Sequence, residues 1–336
     1  MIRVGIVGGT GYTALELLKI LLRHPEVEIT QLTSRDPDSP SLAQVHPSLR
    51  QRLDTRFTQL DIESFADQVD CAFCCLPHAA SAEIVCQLLK KGVKVVDFSA
   101  DYRLNNVETF EKWYQVSHPD PDRVGNVAYG IPELFRESIK TADVVANPGC
   151  FPSSALIPLA PLLKSDLITA SPIIVDSKSG VSGAGRKPNL KFHFPECNES
   201  VMAYGIGTHR HMPEIDQILR RFCGAEVNTT FTPHLIPMDR GILSTIYVHA
   251  KPGVSTEQLH RELAAFYENE PFVRVCTDPP STKDVANTNF CDIAVRQCGD
   301  MTVIVSVLDN LIKGASGAAV QNFNLMFAMP ETLGLL

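Results

Sequence analysis

Gly5-Ile-Val-Gly8-Gly9-Thr10-Gly11-Tyr12-Thr13-Ala14 is the stretch on which the fold of this chain turns. It overlaps the end of an apolar run at 3–7 and leads into residues 13–22, whose apolar side chains recur at helical spacing. The glycines at 5, 8 and 11, or equally the pattern Gly9-x-Gly11-x-x-Ala14, therefore fall where a strand gives way to a helix. Either reading places a phosphate cradle at the helix start, because glycine lets backbone N–H groups approach a pyrophosphate and the helix N-terminus favours its charge.

Working outward, strand-like runs at 29–33, 71–76 and 93–96 alternate with a helical pattern at 80–89. That alternation predicts an α/β domain of Rossmann type, a parallel sheet with helices on its faces, holding a dinucleotide on Gly8, Gly9, Thr10, Gly11, Tyr12 and Thr13. The end of the second strand selects the dinucleotide. Ser34-Arg35 stands where an acidic residue would hold a free ribose hydroxyl, and arginine there suits a 2′-phosphate, so NADP(H) is expected; Asp36 next door leaves NAD open. Residues 36–56, with several Pro and Ser, read as a surface loop with a short helix.

A chain of 336 residues with 44% hydrophobic content can bury the cores of two domains. Its 30 basic and 38 acidic residues give a net charge of -8, which argues against a nucleic-acid or anionic-membrane surface and leaves room for a local basic pocket for a small anion. No apolar stretch is long enough to span a bilayer, and a strand starting at residue 2 leaves no room for a targeting peptide, so a cytoplasmic protein is expected. Ten irregularly spaced cysteines read as reduced thiols. Cys71, Cys74 and Cys75 lie in an apolar strand run without a matching pair at zinc spacing, so no metal site is expected.

One cysteine stands apart. Asn147-Pro148-Gly149-Cys150-Phe151-Pro152 follows a short apolar strand, 143–146, and Ser153-Ser154 are placed to cap the apolar run that continues toward Leu163. A thiol at such a turn, facing a helix N-terminus, is favoured as thiolate and is a candidate nucleophile; a buried structural cysteine is the alternative. Beyond it, strands at 172–177, 228–233, 242–250 and 301–308 and helices at 213–222 and 256–267 predict an α+β domain with a mixed, largely antiparallel sheet. The apolar segment 314–329 is helical in period and is expected to return to the first domain. The domains expected are thus 1–149 with 314–336, and 150–313.

In chain order, the glycine motif at 5–11, Asn147-Pro-Gly-Cys150-Phe-Pro, Ser179-Gly-Val-Ser-Gly-Ala-Gly-Arg186, His209-Arg-His211-x-Pro-Glu214 and Asp309-Asn-Leu-x-Lys-Gly-Ala-x-Gly317 resemble the N-acetyl-γ-glutamyl-phosphate reductases over nearly the whole chain. The related aspartate-semialdehyde dehydrogenases share the architecture and the thioester chemistry but differ around the histidine. The resemblance implies a homo-oligomer, dimer or tetramer, that uses NADPH to reduce the acyl phosphate of N-acetylglutamate to the semialdehyde and phosphate in arginine biosynthesis. It also implies site roles. Cys150 forms the thioester; His209 or His211 is the acid/base, with Glu214 fixing the imidazole and raising its pKa. Arg210 takes a substrate carboxylate and Arg103 the phosphate, with Asn147, Lys178 and Lys187 facing the substrate. Ser179, Gly180, Ser182 and Gly183 lie along the cofactor and Asn310 at the nicotinamide amide, which requires the segment opening the last helix, with Lys313, to pack on the first domain. A reductase of an aspartyl or aminoadipyl phosphate is the alternative within this chemistry, and an NADP(H)-binding redox sensor the alternative outside it. A sensor has no use for the histidine and arginine set.

Overall fold

In the computed structural model, which describes residues 1–336, the alternation of the first segment builds a six-stranded sheet: β1 (Ile2–Val7), β2 (Val27–Leu32), β3 (Cys71–Cys74), β4 (Lys94–Asp97), β5 (Ala128–Tyr129) and β6 (Val144–Ala146). All pair in parallel, in the order β2-β1-β3-β4-β6-β5. The order reverses between β1 and β3, and at such a switch point the strand ends open a crevice for ligands. Cys71 and Cys74 are wholly buried in β3, and burial pushes their thiols and that of Cys75 upward. Two helices, Val107–Tyr114 and Pro132–Lys140, were not expected. The first buries only Phe110 and Tyr114, too little to leave a helical period in its sequence.

The chain divides into two compact units, Met1–Pro148 with Ala315–Leu336, and Gly149–Gly314. The returning segment of the first unit is the helix Gly317–Met326, which follows a π-helical turn at Ile312–Ser316. All ten residues of that helix are buried, amides included. Each amide has an assigned partner: Gln321 donates to Glu133 at 3.0 Å, Asn322 to the Gly130 carbonyl at 2.9 Å and Asn147 Oδ1 at 3.1 Å, and Asn324 to the Leu333 carbonyl at 3.0 Å. Phe323 inserts against Phe73 of β3 with ring centroids 5.5 Å apart, and Ser316 Oγ donates to the Thr13 carbonyl at 2.7 Å, tying this segment to the start of the Tyr12–Leu21 helix.

The second unit carries a seven-stranded mixed sheet of β7 (Ile173–Ser179), β8 (Met202–Ala203), β9 (Thr229–Leu235), β10 (Ile242–Val248), β11 (Val273–Val275), β12 (Cys291–Cys298) and β13 (Met301–Leu308), ordered β11-β12-β13-β10-β7-β9-β8. β11 and β12 went unseen in the sequence: one is three residues long, and Asp292 and Arg296 interrupt the apolar pattern of the other. The helix Cys150–Lys164 lies on this sheet and packs against the helices His211–Cys223 and Thr256–Phe266. It contains Pro158 and Pro161. Pro161 has no N–H for the Ile157 carbonyl, which receives the Tyr267 hydroxyl instead. Underneath, the hydroxyls of Ser154, Ser244 and Ser177 form a buried chain with 2.7 Å spacings. No helix of either unit is long and apolar enough to cross a membrane.

Because Phe323 is fully buried between the helices and β3 of the first unit, Phe323→Ala should cost about 3–5 kcal/mol of stability. Denaturant unfolding checks this, and a loss under about 1 kcal/mol would mean the helix is loosely held.

Candidate active site

The Cys150 turn differs in one respect from expectation. Ser153 and Ser154 do not cap the helix: it begins at Cys150, with Gly149 in extended conformation as the N-cap residue. Proline is tolerated in a first helical turn, where N–H groups lack intrahelical partners anyway, so Pro152 permits the earlier start. The two serines lie inside the helix, Ser153 Oγ donating to the Gly149 carbonyl at 3.1 Å and Ser154 Oγ to that of Phe151 at 2.8 Å. Cys150 is thus the first helical residue, where the helix field acts most strongly on a charged sulfur. Two contacts fix it. Glu214, itself buried, accepts the Gly149 N–H at 3.0 Å. Gly314 lies so close that a Cβ there would stand 2.8 Å from Cys150 Cβ.

His209 and His211 meet beside this turn with ring centroids 4.8 Å apart. His211 opens the helix, and His209 precedes it in an aromatic cage of Tyr204 at 5.5 Å, Phe151 at 5.8 Å and Phe231 at 5.2 Å. The Tyr204 phenol is pushed upward, first by burial and then by negative charge on Cys150 when that thiol is ionised. The expectation that Glu214 raises the pKa of the catalytic imidazole is overturned for His209. Burial, and secondarily the Arg210 guanidinium, hold it down at about 4.

The loop after β7 is clamped rather than mobile. The N–H groups of Val181 and Ser182 donate to the carbonyls of Met238 and Asp239 at 2.9 and 3.0 Å, and that of Gly180 to Gly241 at 3.0 Å. Asn310 sits at the centre of the clamp: Oδ1 accepts the Gly241 N–H at 2.7 Å and Nδ2 donates to Ser182 Oγ at 3.0 Å. Gly183 lies near by, since a Cβ on it would come within 3.0 Å of Ser179 Oγ and 3.6 Å of Asn310 Nδ2. Neither Asn310 nor Lys313 opens the last regular helix; both precede Gly317, and Lys313 is buried over the Phe272 ring at 5.6 Å. Lys178 pairs with Asp176 at 2.8 Å, as does His234 at 3.0 Å, on the face of the sheet away from Ser177. Lys187 is exposed, and so is Arg210.

In the first unit, Gly8 adopts φ +80°, and a Cβ there would strike the Cys75 carbonyl at 2.8 Å, so the close turn of the cradle requires glycine. His46 Nε2 donates to the Gly9 carbonyl at 2.8 Å from below. Gly11 is the N-cap of the helix that Tyr12 and Thr13 begin, Thr10 precedes it, and Tyr12 is exposed. Next to the cradle is a cavity of about 410 Å³ lined by Gly8, Ser34 and Arg35, with Gln59, Leu60 and Ile84. A glycine cradle at a switch point with an arginine-lined cavity beside it fits a phosphorylated dinucleotide. Arg103 is buried, its Nε donating to the Asn147 carbonyl at 2.8 Å and Nη2 to that of Phe98 at 2.7 Å. Asp101 instead serves the neighbouring helix, Ala82–Lys90, accepting the N–H groups of Ala79, Ser81 and Ala82 at 2.6 to 3.0 Å.

Tyr204, Phe231, His46 and Gln59 escaped the sequence reading, and Gly314 was quoted within a motif without a role. Each acts through a fold contact, and of the first four only Tyr204, five residues before His209, stands near a motif that could have pointed to it.

Since a lone Cβ would collide with Cys150 Cβ, Gly314→Ala should slow alkylation of Cys150 by iodoacetamide at least about tenfold in a folded protein; an unchanged rate would show that the turn yields. The pKa of His209 falls from an ordinary 6.5 to about 4 on folding, so its contribution to stability is complete above pH 6.5 and is lost as pH falls toward 4, by on the order of 3 kcal/mol. Unfolding curves at pH 7 and 4.5 should diverge more for the native chain than for His209→Gln, and equal losses would contradict the burial argument.

Two family models match the chain in order: "Semialdehyde dehydrogenase, NAD binding domain" over residues 3–142 and "Semialdehyde dehydrogenase, dimerisation domain" over residues 150–310. Curated relatives include the N-acetyl-gamma-glutamyl-phosphate reductase of Rhodopirellula baltica, 53% identical over 100% of this chain and 98% of that protein, and that of Geobacter sp. strain M21, 48% identical with the same coverage. Among solved structures, aspartate semialdehyde dehydrogenase II of Vibrio cholerae superposes with a TM-score of 0.75 at 18% identity, covering 98% of each chain, and the Candida albicans enzyme with NADP at 0.72 and 15%, covering 98% of this chain and 99% of that one; at such identities the likeness is one of fold. Full-length identity near one half and both domain models in sequence establish that the chain belongs to the semialdehyde dehydrogenase family, among its N-acetyl-gamma-glutamyl-phosphate reductases.

Proposed function

We propose that the chain reduces N-acetyl-γ-glutamyl phosphate to N-acetylglutamate 5-semialdehyde and phosphate, with NADPH as hydride donor and a thioester on Cys150, in arginine biosynthesis. The observation that carries this reading is the position of Cys150 as first residue of its helix, braced by Glu214 through Gly149 and adjoined by the caged His209. A thiolate there displaces phosphate from an acyl phosphate, and His209 serves the oxygen that gains charge. Bound at Gly8 to Thr13 with its 2′-phosphate at Ser34 and Arg35, the dinucleotide supplies the hydride.

We assign the substrate carboxylate to Arg210, and the phosphate to Arg103, which carbonyls of Phe98 and Asn147 orient. Lys178 and Asn147 are assigned to the outer substrate contacts, the Ser179–Gly183 loop and Asn310 to the nicotinamide side. The first unit is then the nucleotide domain and the second the catalytic one. The enzyme is assigned to the cytoplasm, since all ten cysteines are free thiols and the chemistry requires Cys150 reduced. It is assigned as a homo-oligomer, in keeping with the dimerisation model over residues 150–310.

The test is NADP⁺ reduction with N-acetylglutamate semialdehyde, with and without inorganic phosphate, and again with aspartate semialdehyde. Phosphate-dependent turnover of the acetylated substrate alone is expected. Preference for aspartate semialdehyde would reassign the substrate, and silence with both would refute the reductase. Cys150→Ser should abolish turnover while NADPH still binds; loss of binding in that variant would place the nucleophile wrongly.

A further inference from the structure

We propose that Asp309, paired with Arg240, is a positioning residue of the second unit: their buried ion pair holds the Ser179–Gly183 loop, Asn310 and Gly314 in a common register. This rests on the reductase reading above, in which Asn310 stands on the nicotinamide side and Cys150 forms the thioester. Asp309 opens the sequence motif that runs to Gly317, and no step of the reaction above uses it.

Asp309 follows the last residue of β13 and is wholly buried. A carboxylate in such a place is tolerated only when its lone pairs are met, and here both oxygens are doubly engaged. Oδ1 accepts the N–H groups of Leu311 and Ile312 at 2.9 and 3.2 Å, closing the turn that leaves the strand. Oδ2 accepts the Asn287 N–H at 2.7 Å and Arg240 Nη1 at 3.1 Å. The same Nη1 reaches Asn287 Oδ1 at 2.9 Å, so Asp309, Arg240 and Asn287 form a closed ring of contacts.

What sets this pair apart from an ordinary core contact is what its two ends carry. On the Asp309 side the backbone carbonyl accepts the Ile312 and Gly314 N–H groups at 3.2 and 2.9 Å, so one residue fixes, by side chain and main chain, the turn that lays Gly314 against Cys150. Asn310 is next in sequence, its amide bonded to the Gly241 N–H and to Ser182 Oγ. Arg240, for its part, lies in the corner whose Met238, Asp239 and Gly241 carbonyls hold the N–H groups of Val181, Ser182 and Gly180. Packing there leaves no slack: a Cβ on Gly180 would come within 2.8 Å of Arg240 Cα and 2.5 Å of the Asp239 carbonyl oxygen.

A shift of Arg240 is therefore passed to the loop by backbone contact, and a shift of Asp309 to Asn310 and Gly314 through the turn. The ion pair and the Asn310 amide bridge the same two segments. Of the two bridges the charged one resists displacement more, so the neutral bonds of Asn310 are made in a frame that Asp309 and Arg240 set. In the reaction this frame decides how the acyl carbon on Cys150 is presented to the nicotinamide side, and a misplacement of about 1 Å is enough to cost about 10²-fold in rate. The cradle at Gly8–Thr13 belongs to the first unit, so affinity for the dinucleotide should not follow the pair.

The test separates position from mere folding. Arg240→Met, which keeps an aliphatic stem and removes the charge, should lower kcat about 10²-fold per titrated Cys150 thiol while the NADPH dissociation constant, read by fluorescence, stays within about threefold of native. Arg240→Lys should recover at least about tenfold of that loss, because a single nitrogen serves both acceptors and an ammonium can donate to both. Asp309→Asn, alone or combined with Arg240→Met, should match the loss of Arg240→Met and not multiply it. In the full chain without added NADPH, Arg240→Met should also speed alkylation of Cys150 by iodoacetamide at least about threefold, since the turn at Gly314 is loosened. An unchanged kcat, a loss in kcat matched by weaker NADPH binding, lysine no better than methionine, multiplied losses in the double variant, or an unchanged alkylation rate would each overturn the proposal. Should Asp309→Asn fail to fold, the two Arg240 variants still decide, because that side chain is 16% exposed. If the native enzyme fails to turn over the acetylated substrate, the reductase reading fails, while the alkylation rates still test the register.

Discussion

The bond from the Gly149 N–H to the Glu214 carboxylate is the constraint on which the site depends. It joins the N-cap of the Cys150 helix to the first turn of the helix that His211 opens, so the thiol and the histidine pair are registered by a charge-assisted hydrogen bond in a place where both partners are buried. An unpaired buried carboxylate or amide is costly, and that cost makes the register specific. Gly314 leaves no spare volume beside Cys150. Cys150 is thereby held by the polar pairing of its neighbour Gly149 and by steric exclusion.

Desolvation has opposite uses in the two units. Around His209 it keeps a base neutral at about 4. In the first unit it raises the Asp97 carboxyl to about 6, with the neighbouring Asp101 charge adding to the effect, even though Ser81 and Ser99 donate to it. Asp101 accepts three N–H groups at the start of the Ala82–Lys90 helix, a ready source of positive potential. The strand end from which Arg103 follows is thus stiffened by buried polar pairing, which suits a residue assigned to an anion.

Much of this was legible in the sequence because it obeys local rules. The cradle at Gly8–Gly11 announces itself by glycine placement between a strand and a helix, and Cys150 by a Pro-Gly turn. The fold class followed from strand and helix periods. What stayed hidden depends on tertiary contacts. The start of the helix at Cys150 was missed because Ser153 and Ser154 look like caps and instead hydrogen-bond inward. Glu214 was expected to raise the pKa of an imidazole, and for His209 burial lowers it instead. The strand β12 is masked by Asp292, whose charge is met by Arg274 on β11 at 2.6 Å, a pairing no single-segment period reveals. The helix with Gln321, Asn322 and Asn324 was expected as an apolar segment returning to the first unit; what its period did not show is that its three amides are buried with it, each donating to a partner.

That helix sets an order of events during synthesis. The second unit is an insertion between Pro148 and Ala315, so the ribosome completes all of it before it makes the residues that fill the groove over β3 and cap the amide network around Asn147. A nascent chain therefore holds its six-stranded sheet with one side uncovered while the second unit, whose residues are already contiguous, is free to fold. The two units then mature in the reverse of their order along the chain.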